Sequence, residues 1–157
     1  MEAEVLERHI ASIVTCGTWS LALDMNWTNA IIDSFDVVHV PRSPPWLAGV
    51  VNFEGGIVSV VDLAVYFDPE VPAAKLDRHH RLVLGGRVDG SNESAVAILF
   101  TGLPMQIDYT REPLDSSVVI PERLREVCSG MARSTSGQLS YEIKVSSFVE
   151  ILSMGLI

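Results

Sequence analysis

One stretch near the middle of the chain, residues 41–67, limits what the protein can fold into more than any other. It contains two runs rich in valine and isoleucine, residues 47–53 and 57–61, and between them Glu54 and two glycines. β-Branched residues suit the pleated, half-buried backbone of a strand, and glycine readily adopts the positive φ angles of a tight reversal. The stretch therefore predicts a β-hairpin.

Both ends of this hairpin are marked by the residues around it. Pro44 and Pro45 precede it, and proline has a fixed φ and no backbone N–H, so the lead into the hairpin is rigid and is not a strand. Asp62 follows the hairpin and can cap a short helical turn that runs through Tyr66. The sequence thus predicts a strand, a tight turn, a second strand and a short helix, in that order.

The same residues resemble the central signature of the CheW-like domain family. That signature is a proline-containing lead, a Gly-Val-Ile/Val-Asn-Leu-Arg-Gly segment and a β-branched run that ends in Asp-Leu. The positions that match it are Gly49, Val50, Val51, Asn52, Gly55, Asp62 and Leu63. Glu54 stands where the family has arginine. A weaker, pattern-level similarity extends over nearly the whole chain.

The rest of the chain predicts further short strands and little helix. Apolar or alternating runs indicate strands over residues 10–16, 19–24, 37–40, 82–84, 95–100, 130–133 and 138–144, and helices are predicted over 121–127 and 146–156. About nine short strands separated by turn signals are typical of an all-β, barrel-type domain. The resemblance implies two intertwined five-stranded SH3-like β-barrels with short helices. We therefore expect residues 1–157 to form one domain built of two barrel subdomains.

Composition narrows the functional class. The net charge of −9 disfavours nucleic acid and anionic membrane as partners, because both are bound by clustered Lys and Arg. No apolar run approaches the ~20 residues that span a bilayer, and the acidic residues 1–9 do not have the pattern of a signal peptide. We expect a cytoplasmic protein without direct membrane insertion. Cys16 and Cys128 are far apart in sequence and are expected to be reduced thiols.

The sequence nominates no catalytic, cofactor or metal site. It contains no recognisable Ser-His-Asp constellation, no zinc-type spacing of Cys and His, and no glycine-rich nucleotide loop. Its carboxylates are numerous but dispersed, so no general acid–base pair stands out. We therefore expect a protein that is not an enzyme and needs no cofactor.

The resemblance implies an adaptor. CheW-like domains couple chemoreceptors to a CheA-type histidine kinase in chemosensory arrays at the inner membrane, so the expected partners are the regulatory domain of that kinase and the cytoplasmic tip of a receptor. One alternative is a divergent competitor or specialised linker that has lost one partner. Another is a small-molecule-binding β-barrel. The motility output, flagellar or of another kind, is not specified by the sequence.

Candidate partner-binding residues lie in and near the central hairpin. Pro44, Pro45, Trp46 and Leu47 place four apolar residues at a turn, where connections are normally polar. They form either an exposed docking surface or a plug in which Trp46 folds into the end of a barrel. By resemblance, the partner-binding residues are Asn29, Pro44, Trp46, Leu47, Val50, Asn52, Glu54 and Gly55.

The departure from the family at Glu54 carries a specific hypothesis. CheW-like domains commonly pair the arginine of the signature with a glutamate, and the matching positions here hold Glu54 and Asn29. A carboxylate can accept a hydrogen bond from an amide, so Asn29 and Glu54 are predicted to touch. The surface would then be negatively charged, and its partner would present Arg or Lys.

Overall fold

The computed structural model describes residues 9–155; the acidic segment before His9 and the tail after Gly155, with Leu156, lie outside the described residues. The described chain forms nine strands and three short helices. In order these are β1 (His9–Cys16), β2 (Trp19–Asp24), β3 (Thr28–Ile32), β4 (Leu47–Phe53), β5 (Gly56–Val61), α1 (Leu63–Phe67), β6 (His80–Gly85), β7 (Val96–Glu112), α2 (Glu122–Val127), β8 (Cys128–Ser134), β9 (Leu139–Ile143) and α3 (Val145–Gly155).

Five strands form the first barrel, which we call barrel A. Strand β3 pairs with β6, β6 with β7, β7 in parallel with β5, and β5 with β4. Alternate residues of these strands point inward, as the period of a strand requires. Their cluster of buried residues includes Val51, Val58, Val60, Leu82, Leu84, Ala97 and Leu99.

Five strands also form the second barrel, barrel B. Strand β1 pairs with β2 and β7, β7 with β8, β8 with β9, and β9 returns in parallel to β2, so the ring of pairings closes. Within the described residues, each strand of this ring therefore has a partner on both sides. Its small interior cluster consists of Ala11, Ile13, Ala22, Tyr109 and Ala132.

Strand β7 belongs to both barrels and explains why they are intertwined. Its first residues pair with β5 and β6, and its last residues pair with β1 and β8. The largest apolar cluster lies between the barrels and is covered by the helices. Among its members are Leu21, Tyr66, Phe67, Ile98, Phe100 and Phe148, all nearly inaccessible to solvent. The barrels therefore share a central apolar cluster in addition to the separate cluster inside each of them.

The central prediction is confirmed and two neighbouring predictions are not. The hairpin occupies Leu47–Phe53 and Gly56–Val61, and the side chain of Asp62 caps α1 by accepting from the Val65 N–H at 3.5 Å. The strand predicted over residues 37–40 is wrong, because Val38 forms only an isolated bridge with Val50. The strand predicted to end at residue 100 continues to Glu112.

Candidate partner-binding surface

The turn of the β4–β5 hairpin is tight and points its acidic side chain into solvent. Glu54 and Gly55 have φ angles of +49° and +82°, the combination that a two-residue turn matching the twist of the strands requires. The Asn52 side chain fixes the turn by accepting from the Gly55 N–H at 3.2 Å. The Glu54 side chain is 62% exposed.

The outer face of this hairpin carries exposed apolar side chains. Along β4, Gly49 and Val51 are buried, whereas Val50 is half-buried and Asn52 is exposed. Val38 pairs with Val50 through two backbone hydrogen bonds of 2.9 Å, and Ile57 pairs with Asn52. Val38 is 63% exposed and Ile57 69% exposed. We call Val38, Val50, Asn52 and Ile57 the hairpin face.

Glycine at position 49 is needed for this arrangement. A Cβ atom there would lie 2.4 Å from the Val38 carbonyl oxygen and 2.6 Å from Val37 Cγ1, and the φ of Gly49 is +150°. Only a residue without a side chain lets the Val38 segment approach β4 this closely. Gly49 thereby places Val38 on the hairpin face.

The apolar turn before the hairpin is not the exposed surface that its composition suggested. Trp46 and Leu47 are only 8% and 6% exposed and belong to the core between the barrels. The Trp46 ring packs edge-on against Tyr66, with 5.7 Å between ring centroids. The alternative in which Trp46 folds into the domain is therefore the one that the structure shows. Pro44 is half-buried and Pro45 is exposed.

Asn29 and Glu54 meet through a third residue, Arg87. Arg87 Nη1 lies 2.8 Å from Glu54 Oε2, and the Arg87 backbone N–H donates to Asn29 Oδ1 at 2.8 Å. Between the described residues, no hydrogen bond joins Asn29 directly to Glu54. The predicted direct hydrogen bond is therefore wrong, and the guanidinium that pairs with Glu54 comes from another segment of the chain.

Arg87 also fixes the loop in which it lies. Its Nε donates to Asn92 Oδ1 at 2.6 Å, its Nη2 donates to the Gly90 carbonyl at 2.8 Å, and its guanidinium lies 5.0 Å from the centroid of the Phe53 ring. Asn92 in turn donates to the Phe53 carbonyl at 2.7 Å. These bonds clamp two neighbouring turns together. Sequence reasoning missed Arg87, although the Asp-Gly turn beside it was visible.

A second polar cluster lies inside barrel B. The buried Glu142 carboxylate accepts from Tyr109 Oη, from Ser129 Oγ at 2.5 Å and from Arg111 Nε at 2.6 Å. Burial raises the pKa of Glu142, but the hydrogen bonds from these three donors outweigh burial and lower that pKa below its usual value. Burial and the bond to Glu142 raise the pKa of Tyr109. The cluster ties β7, β8 and β9 together and is saturated by its own members.

Two hollows lie in the surface of the described chain. One, of about 170 Å³, is bordered by Cys16, Asp62 and His80 and is smaller than the ~300–1,000 Å³ of ordinary ligand pockets. The other, of about 470 Å³, has a mainly polar lining that includes Asp33 and Asp77. Within residues 9–155, no group of three or more His, Cys, Asp and Glu is placed to hold a metal ion, and no helix is long and apolar enough to cross a membrane.

Comparison with known proteins identifies a family and a solved structure that share this architecture. A family model for the CheW-like domain matches residues 11–152. The chain belongs to the CheW-like domain family. Its structure is also similar to that of the scaffolding protein TtCheW from Thermoanaerobacter tengcongensis, with a TM-score of 0.70, 16% sequence identity, and coverage of 88% of this chain and 90% of that one. The SH3-like barrel fold is thus confirmed. No curated protein sequence matches the chain significantly.

Proposed function

We propose that this CheW-like protein is a non-enzymatic adaptor that couples chemoreceptors to a CheA-type histidine kinase in a chemosensory array. The observation that carries the proposal is the match of the CheW-like family model to residues 11–152. An adaptor works by simultaneous weak contacts, whose avidity comes from the lattice that they build. It acts in the cytoplasm, at receptor arrays on the inner membrane.

The hairpin face supports a binding role. Val38 and Ile57 expose 63% and 69% of their surface beside Val50 and Asn52 on one sheet face. Exposed apolar groups that are contiguous on a folded domain are typical of protein contact sites. Of the two hollows described above, one is smaller than an ordinary ligand pocket and the other has a mainly polar lining.

Isothermal titration of the folded protein with the regulatory domain of the CheA-type kinase from the same organism tests the proposal. We expect binding with a Kd in the micromolar range, because a small, partly apolar interface gives modest affinity. Ile57→Ser should weaken this binding. The matched control is Leu139→Ser in barrel B, which changes an apolar side chain that is 42% exposed and should leave binding unchanged.

A parallel titration with a receptor's cytoplasmic tip fragment separates the remaining alternatives. Binding to both proteins supports the coupling role. Binding to the receptor tip alone identifies a specialised linker or competitor that has lost the kinase. A folded protein that binds neither at high micromolar concentration would refute the adaptor function.

A further inference from the structure

Two turns of barrel A form one rigid tip. The first is the β4–β5 turn, which contains Glu54 and Gly55. The second is the turn over residues 88–91. In this second turn Val88 pairs with Ser91, and Asp89 and Gly90 between them have positive φ angles. The clamp made by Arg87 and Asn92 holds the two turns side by side, as described above. A Cβ at Gly56 would lie 2.5 Å from Asn92 Nδ2, so the turns are in van der Waals contact. We call residues 52–57 and 87–93 the double-turn tip.

The chemistry of this tip is acidic and apolar. Its carboxylates are Glu54, Asp89 and Glu93, all at exposed positions, against the single guanidinium of Arg87. Arg87 is only 16% exposed and its N–H groups are engaged within the tip, so the charge that a partner meets is negative. Each turn also exposes a branched apolar side chain, Ile57 at 69% and Val88 at 60%.

The shape of the tip selects among possible partners. A helical peptide is normally held in a groove. The side chains of Ile57 and Val88, in contrast, expose more than half of their surface and project from the barrel. Such a projecting tip suits contact with the surface of another folded domain. Its complement would be apolar and would carry Lys or Arg opposite Glu54 and Asp89, since juxtaposed opposite charges favour association.

We propose that the double-turn tip docks a basic and apolar surface on the regulatory domain of the CheA-type kinase, with Glu54 and Asp89 determining the choice of partner. This inference rests on the proposed adaptor function. The ion pair with Arg87 holds Glu54 Oε2, which leaves the other carboxylate oxygen of this exposed side chain to the partner. The clamp fixes the charge in place before the partner arrives, which lowers the entropy cost of binding.

The test uses two substitutions that remove charge and keep the shape of the tip. In Glu54→Gln the amide oxygen can still accept from Arg87, and in Asp89→Asn the new residue tolerates the positive φ of +50°. At low salt each should weaken binding of the kinase regulatory domain by about two- to fivefold, as exposed charge pairs do. As salt rises, the affinities of the double variant and of the wild type should converge.

A control with the same net charge completes the design. Asp108→Asn with Glu122→Gln neutralises two exposed carboxylates outside the tip, and this pair should bind as the wild type does. An equal loss in the control pair, or no loss in the tip pair, would overturn the assignment of the tip while leaving the adaptor function standing. A loss that persists at high salt would overturn the role of charge. If the wild type itself does not bind the domain, the kinase-coupling function fails as well.

Discussion

Removal of the Glu142 carboxylate should destabilise the protein measurably. Glu142 is 5% exposed and Tyr109 is 7% exposed, so neither side chain can exchange its partner for bulk water. Arg111 is different, because its side chain is 51% exposed. In Glu142→Ala the Tyr109 hydroxyl therefore loses its acceptor inside barrel B, while water can solvate the guanidinium of Arg111.

The size of the effect follows from these burials. An unpaired buried hydroxyl costs about 1–3 kcal/mol, and the deleted Cγ methylene adds about 0.8 kcal/mol. Arg111 and the exposed Ser129 add little, since water replaces the carboxylate for both. We expect a loss of about 2–4 kcal/mol in the free energy of unfolding, which for a chain of this length lowers Tm by about 4–16 °C.

The pH dependence has a definite sign. The pKa of Glu142 is lowered in the folded state, below the value of about 4.3 for an unfolded glutamate. Its contribution to stability is therefore present above pH ~4.3 and is lost as the pH falls through the folded pKa. Because Glu142→Gln cannot titrate, its stability should fall less steeply than that of the wild type as the solution is acidified.

Urea denaturation and thermal melting of the wild type and the variants measure the effect. Glu142→Leu should be destabilised, and adding Tyr109→Phe should recover part of the loss, because the double variant leaves no buried hydroxyl unpaired. Glu112→Gln is the control, since it weakens an ion pair to Arg133 whose two side chains, at 39% and 42% exposed, remain accessible to water. If Glu142→Ala melted within about 2 °C of the wild type, the reasoning from burial would be refuted.

Other positions make equally direct predictions. Trp46→Ala should lower the free energy of unfolding by about 3–5 kcal/mol, because the indole ring is buried in the core. A loss of only a few tenths of a kcal/mol, measured by thermal melting, would show instead that Trp46 is a surface residue. Burial raises the pKa of the Cys16 thiol, and the nearby Asp62 carboxylate contributes less to the same shift. A thiol reagent should therefore modify Cys16 only as fast as the protein unfolds. Rapid labelling of the native protein would contradict this expectation. Gly49→Ala should lower Tm and weaken kinase binding together, because its Cβ would displace Val38, and unaffected melting would show that the segment adapts.

Features set by local chemistry could be predicted from the sequence. The β4–β5 hairpin and the Asp62 cap depend on residues within a few positions of each other, and both are found where the sequence indicated. The same holds for β2, predicted over residues 19–24 and observed at Trp19–Asp24. In these segments the alternation of side chains and the turn residues agree with the final fold, so local reasoning was sufficient.

Features set by long-range pairing could not be predicted in this way. Glycine and proline commonly interrupt strands, yet β7 continues through Gly102 and Pro104. It does so because its two halves pair with different strands on either side of this point. The register with β1 shifts between Ile13 and Thr15, which marks the irregularity that the extra residues create. A glycine with a φ of +80° permits that irregularity.

The position of the compensating arginine shows the same limit at the candidate site. The sequence revealed that position 54 had lost its positive charge, and it suggested Asn29 as the new partner because the family pairs these two positions. It could not indicate Arg87, which is 33 residues beyond Glu54 and meets it only because β6 pairs with β7 and the intervening loop returns to the β4–β5 turn. In this ion pair the Glu54 carboxylate is 62% exposed, whereas the Arg87 side chain is only 16% exposed. The structure therefore changes the expectation for this surface from a direct amide contact to an arginine-clamped acidic tip, and the choice of kinase partner should follow that change.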